Sequence, residues 1–147
     1  MHKTAIIYAS THHGSTRKLV EAIADKYQVV QIDATNCQQA DLSGYNLIGF
    51  ASGIDFGKFY DSVEQFLEKN LPENKRVFFM YTCAKVSNRF TDSIKAAATK
   101  KGATVLGEYG CKGFNTYGPW KVIGGMNKNH PTKNELENCI TFFETLL

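Results

Sequence analysis

Apolar positions along this chain fall into two alternating rhythms. Short runs rich in β-branched and aromatic residues have the brevity and composition of strands in a buried sheet: Ala5-Ile6-Ile7-Tyr8, Val29-Val30-Gln31-Ile32-Asp33, Leu47-Ile48-Gly49-Phe50-Ala51, Arg76-Val77-Phe78-Phe79-Met80-Tyr81 and Thr104-Val105-Leu106-Gly107-Glu108-Tyr109. Between them, apolar residues recur at three- and four-residue intervals, the spacing that lines one face of a helix. Leu19, Val20, Ile23, Ala24 and Tyr27 form the first such stripe. Phe59, Val63, Phe66 and Leu67 form a second, in a helix from about Phe59 to Lys69 that stops ahead of Pro72. Phe90, Ile94, Ala97 and Ala98 predict a helix over Asn88 to Lys101, closed by Gly102 as a C-cap, and Leu136, Ile140, Phe143 and Leu147 predict a last one from about Thr132. The polar stretch Ala34 to Asn46 leaves room only for a short helix around Gln38–Leu42, and Gly110 to Pro131 has no period of either kind.

Strands that alternate with helices imply right-handed crossovers and a parallel sheet covered on both faces. For five strands, the expectation is an α/β fold: a doubly wound, three-layer α/β/α arrangement with strand order 2-1-3-4-5, one domain over residues 1–147. In such sheets ligands sit outside the carboxyl ends of the strands, near the switch between the first and third. The loops after strands one, three and four are therefore where binding chemistry is expected.

Composition narrows the class. With 147 residues and 43% hydrophobic content the chain has ample material for a full core. Cys37, Cys83, Cys111 and Cys139 are scattered with no CxxC pair, which suits a reduced cytoplasmic protein more than a disulfide framework. Met-His-Lys leads straight into the first strand without a charged-then-apolar leader, and no apolar run nears the roughly 20 residues of a membrane span. A net charge of +3, with basic residues dispersed, gives no footprint for nucleic acid.

The loop after the first strand carries the clearest chemistry. Ser10, Thr11, Ser15 and Thr16 supply hydroxyls around His12, His13 and Gly14, just before the first helical stripe. Free N–H groups and the dipole at a helix start favour an anion, and hydroxyls beside them suit a phosphate monoester that needs neither metal nor lysine. The loop lacks both the GxxxxGK[ST] pattern of nucleotide hydrolysis and the GxGxxG of dinucleotide binding. The competing reading is a plain N-cap, for which Ser and Thr serve without any ligand. Adjacent histidines in an extended loop point apart and no third ligand is evident, so phosphate contact or solvation is preferred to a metal for His12 and His13.

After the third strand, Ser52-Gly53-Ile54-Asp55-Phe56-Gly57-Lys58-Phe59-Tyr60 brackets apolar residues with two glycines, which lets backbone and rings approach a flat ligand; the alternative is that Phe56 and Tyr60 fold onto the core. Thr82-Cys83-Ala84-Lys85-Val86-Ser87 follows the fourth strand and would line the other side of the same ring. Cys83 to Arg89 matches the Cys-x5-Arg spacing of phosphatases. The loop has no glycine, no Ser or Thr after the arginine and no Asp-Pro elsewhere, so chance spacing is preferred. A receiver domain shares the strand order but needs acidic residues where Ala9-Ser10 and Ala51-Ser52 stand.

Thr11-His12-His13-Gly14-Ser15-Thr16 resembles the T/S-x-T-G-x-T phosphate loop of flavodoxins, with His13 where threonine is usual. The resemblance extends to Ala51-Ser52-Gly53-Ile54 with Phe56-Gly57-Lys58-Phe59, and to Gly113-Phe114, Thr116, Gly118-Pro119-Trp120, Gly124-Gly125 and His130-Pro131, these two stretches resembling a subgroup related to flavodoxin-like protoporphyrinogen dehydrogenases. The resemblance implies non-covalent FMN, its phosphate on Thr11, His12, His13, Gly14, Ser15 and Thr16. Ser52, Gly53, Ile54, Asp55, Phe56, Thr82, Cys83, Ala84 and Lys85 would then flank the ribityl chain and ring. It implies electron transfer to a redox partner protein or small-molecule acceptor; the alternatives are an FMN-dependent oxidoreductase and a flavin-less binding module. Two features depart from acidic electron carriers. The net charge is positive, so Lys58 or Lys85 near the ring would raise the redox potential. The segment Gly110 to Pro131, with Phe114, Tyr117, Trp120 and Ile123, either covers the sheet edge or closes the ring face.

Overall fold

A computed structural model describes residues 3–9, 14–113 and 130–147. Strand β1 (Thr4–Ala9) leads to helix α1 (Ser15–Lys26) and strand β2 (Val29–Asp33). Strands β3 (Leu47–Asp55) and β4 (Lys58–Phe59) precede α2 (Asp61–Asn70), and β5 (Arg76–Cys83) runs into a 3-10 turn at Asn88–Thr91 and helix α3 (Asp92–Lys100). Strand β6 (Thr104–Lys112) and helix α4 (Lys133–Glu144) complete the order. The long strands pair in parallel in the order β2-β1-β3-β5-β6, and two-residue β4 folds back antiparallel on β3. This is the expected doubly wound arrangement with one small hairpin added: the α/β flavodoxin-like fold.

Alternation along the strands builds the two cores. Ala5, Ile7, Ile48, Phe50, Val77 and Phe79 face α2 and α3, where Val63, Phe66, Leu67, Ile94 and Ala98 are buried with them. Ile6, Tyr8, Leu47, Ala51, Phe78 and Met80 face the other way, onto Leu19, Val20 and Ile23 of α1 and Cys139 and Phe143 of α4. The central strands are thus apolar on both sides, as a parallel sheet between two helix layers requires.

Local differences from the sequence reading have identifiable causes. No helix forms over Gln38–Leu42. The segment is tied to Asn70 instead, whose amide donates to the Gln38 carbonyl at 3.0 Å and accepts from the Ala40 N–H at 3.3 Å. The third and fourth predicted strands extend to Asp55 and Cys83, because Gly53 still pairs with Thr82. Phe59 belongs to β4, so α2 starts at Asp61. The predicted helix over Asn88–Lys101 splits where the Ser87 hydroxyl accepts the Arg89 N–H and opens the 3-10 turn. In the last helix, tight closing bonds from Thr145 and Leu146 to Phe142 and Phe143 turn Leu146 inward and leave Leu147 54% exposed. Gly110 to Lys112 lie in β6, and residues 114–129 of the unperiodic segment lie outside the described residues. Among the described residues no helix is long and apolar enough to cross a membrane.

Candidate functional site

The carboxyl ends of β1, β3 and β5 meet because Ala9 pairs with Ser52 and Gly53 with Thr82. The three stretches picked out in the sequence therefore share one edge of the sheet. Thr11, His12 and His13 lie outside the described residues, and the description resumes at Gly14.

Gly14 occupies the N-cap of α1 in a left-handed conformation, φ 67 and ψ 26, which favours glycine. It offers no side-chain acceptor to the first turn, which contains no acidic residue either. Ser15 and Thr16 stand one and two places inside the helix and are buried. A side-chain N-cap by Ser or Thr is thus not what the described start of α1 contains.

Thr16, only 2% exposed, places its hydroxyl 2.7 Å from that of Thr82 at the end of β5. One hydroxyl of such a pair donates to the other, so one O–H proton is left for a third acceptor. Thr82, expected beside the ring or ribityl chain, stands beneath the start of α1. Gly113, absent from the sequence-based site, closes the same corner. Its N–H donates to the Cys83 carbonyl at 2.9 Å, and a β-carbon there would lie 2.9 Å from the β-carbons of both Ser15 and Thr82. Only a glycine fits that close approach. The signal for it was its place at the head of the closing Gly-Phe motif.

The stretch after β3 is a hairpin rather than an open loop. Asp55 pairs with Lys58 across Phe56 and Gly57, whose φ values of 52 and 76 are the left-handed pair of a type I′ turn. Ser52 is fully buried and spends its hydroxyl on the hairpin, donating to the Gly53 carbonyl at 2.5 Å and accepting the Tyr60 N–H at 2.9 Å. A β-carbon on Gly53 would lie 2.3 Å from the Tyr60 hydroxyl oxygen, so this glycine makes room for Tyr60. Ile54 and Tyr60 pack partly against the α2/α3 core. Phe56 does the opposite: it stands 91% exposed at the turn. Lys58 bonds Asp61 at 3.1 Å and lies 3.7 Å from Glu64, and these partners, Asp61 first, raise its pKa.

Beyond Thr82, Cys83 is largely enclosed. Burial pushes its thiol up to about 12, and its Sγ lies 3.7 Å from the Cys111 carbonyl. A Cys-x5-Arg phosphatase needs the reverse, a thiolate at neutral pH. Ala84 is half-buried, Lys85, Val86 and Arg89 are exposed, and the Tyr81 hydroxyl holds the turn by donating to the Ser87 carbonyl at 2.9 Å. Among the described residues no three His, Cys, Asp or Glu side chains gather to hold a metal. The edge thus presents buried neutral hydroxyls and a helix start at one point and an exposed ring on a hairpin beside it. That chemistry suits binding a phosphorylated, partly aromatic molecule.

Known proteins share the fold that positions this edge. An uncharacterized protein of Methanocaldococcus jannaschii is 35% identical over 147 residues, covering 99% of this chain and 98% of its own. An archaeal flavodoxin superposes with a TM-score of 0.67 at 19% identity over 97% of this chain and 98% of that one. A Lactobacillus acidophilus flavoprotein solved in complex with FMN gives 0.59 at 16% identity, over 75% and 93% of the two chains. The flavodoxin-domain profile matches residues 5–116, and the chain belongs to the flavodoxin-domain family.

Proposed function

We propose that this chain binds FMN without a covalent bond and works as an electron-transfer protein. The observation that carries this reading is the buried Thr16–Thr82 hydroxyl pair, with a spare proton, beneath a helix start capped by a glycine. A β-carbon at Gly14 would have no atom of the described residues within 4 Å, which supports room for a phosphate there. Ser15, Thr16 and the first-turn backbone donors, with Thr11, His12, His13 and Gly14 from the same loop, hold the phosphate by hydrogen bonds and helix dipole, and no metal is required. Phe56 offers an exposed aromatic face to one side of the ring, and Ile54 and Asp55 shape the hairpin that carries it. Ser52 and Gly53 act through that hairpin instead of touching the ligand. Cys83, Ala84 and Lys85 border the other side, where the neutral Cys83 thiol serves as a wall. Bound FMN supplies reversible one- and two-electron chemistry. The chain's own residues bind it, orient it and set the charge around it.

Titration of the unloaded protein with FMN, followed by quenching of flavin fluorescence, tests the reading. Replacing Ser15 and Thr16 together by alanine weakens FMN by about a hundredfold or more, since each hydroxyl bonded to a charged group contributes roughly 1.5–3 kcal/mol. Unchanged affinity in the double variant defeats the phosphate assignment. A wild type that quenches no flavin makes the chain a flavodoxin scaffold without flavin.

A further inference from the structure

Glu135 lies outside all three loops, yet its carboxylate gathers separate pieces of chain. At the third position of α4, its Oε1 accepts the Thr132 N–H at 2.8 Å while the Thr132 hydroxyl accepts the Glu135 N–H at 3.1 Å, a capping box. The same oxygen pairs with Nδ1 of His130. Oε2 reaches a different element, accepting the backbone N–H of Lys112 in β6 at 3.3 Å, and the Tyr109 hydroxyl donates to the Glu135 carbonyl at 2.8 Å. A capping box needs only the two bonds between Thr132 and Glu135. The bond to Lys112 is additional, and it fixes the residue before Gly113.

That neighbour matters because Gly113 is bonded to the Cys83 carbonyl and lies so close to Ser15 and Thr82 that a β-carbon on it would meet both. From carboxylate to phosphate corner the path is Glu135, the Lys112 amide, Gly113, then Ser15 and Thr82. The geometry points to Glu135 as a positioning residue for the phosphate end of the site: it seats the end of β6 so that Gly113 holds the Thr16–Thr82 pair in register with the start of α1. This rests on the flavin reading above. The groups facing the carboxylate are His130 from the connection into α4, Tyr109, Cys111 and the Lys112 amide from β6, and Cys83 from β5. Burial pushes Tyr109, Cys111 and Cys83 up, so these three stay neutral at pH 7 and none competes with the carboxylate for the Lys112 donor.

The experiment compares FMN with riboflavin, which lacks the phosphate, on the unloaded wild type and three variants, and follows amide hydrogen exchange at Lys112 and Gly113. Glu135→Gln weakens FMN by about tenfold, leaves riboflavin within about twofold, and speeds exchange at both amides. Thr132→Ala removes the other half of the capping box but leaves the Lys112 bond, so FMN affinity and both exchange rates hold. Gly113→Ala leaves Glu135 untouched and weakens FMN more than riboflavin by forcing Ser15 and Thr82 apart. Equal losses in Glu135→Gln and Thr132→Ala reduce Glu135 to a helix cap and overturn the inference. So does full FMN affinity in either Glu135→Gln or Gly113→Ala, provided that the wild type binds FMN. A wild type that takes up neither flavin brings down the flavin reading, and this inference with it.

Discussion

Phe56 carries its ring on a backbone that a β-carbon resists. At φ 52 it occupies the left-handed region, followed by Gly57 at φ 76, in a turn whose favoured pair is Asn-Gly. Burial does not repay that conformation, because the side chain is 91% exposed. Such residues persist where a surrounding function needs them. Phe56→Asn therefore separates stability from binding: urea denaturation of the unloaded variant shows a gain of about 0.5–1 kcal/mol, while fluorescence titration shows weaker FMN. A loss of stability with unchanged affinity defeats the assignment of this ring to the ligand. Sequence alone exposed Phe56 as an apolar residue in an odd place but hid the hairpin, because phenylalanine stands where Asn or Asp would have announced a type I′ turn. Thr82 was legible as a candidate for the site, but not as the partner of Thr16. That pairing spans 66 positions and depends on which strands become neighbours.

At the scale of elements, helices with a clean apolar stripe were readable, and errors arose where a side chain from elsewhere took over. At Gln38–Leu42 the backbone is tied to Asn70 in place of the short helix. The start of α4 shows the same influence in a useful direction. Burial acts to raise the Glu135 pKa, but N–H donors from Thr132 and Lys112 and the His130 ring outweigh it and hold the carboxyl below its ordinary 4.5. A folded value below the unfolded one stabilises the protein above that ordinary value, and the contribution fades as pH falls through the folded value. Urea midpoints measured from about pH 6 down to pH 3 fall more steeply for the wild type than for Glu135→Gln, which lacks the titrating group. Parallel curves for the two would show that this carboxyl gains nothing on folding. Thr132→Ala tests the cap separately and costs about 1 kcal/mol by denaturant titration at neutral pH.

At the scale of the whole molecule, alternation pointed to a parallel sheet and the common order of five-stranded doubly wound sheets to its strand order, and that order singled out the candidate edge before any side chain was positioned. The charge of that edge is less visible in a net figure of +3. Lys58, which the sequence offered as a cation near the ring, is occupied by Asp61 and Glu64 and its field is largely cancelled. Lys85 is exposed and has no ion pair among the described residues, so it is the cation on that loop able to favour an anionic reduced flavin. Reversing it with Lys85→Glu changes two units of charge on a screened rim, an effect of roughly 1 kcal/mol, or about 40 mV in a one-electron step. Potentiometric titration of the FMN-loaded protein then gives a lower second reduction potential for the variant. The gap narrows as salt is raised, because an exposed charge is screened over about 10 Å at 0.1 M. Lys58→Gln moves the potential less, since it removes one unit of charge where Lys85→Glu changes two, and Lys58 is held toward Asp61 and Glu64 of α2. Equal shifts from the two lysines would mean that the ring does not lie on the Lys85 side of the hairpin, and the loop after β5 would lose its place in the site.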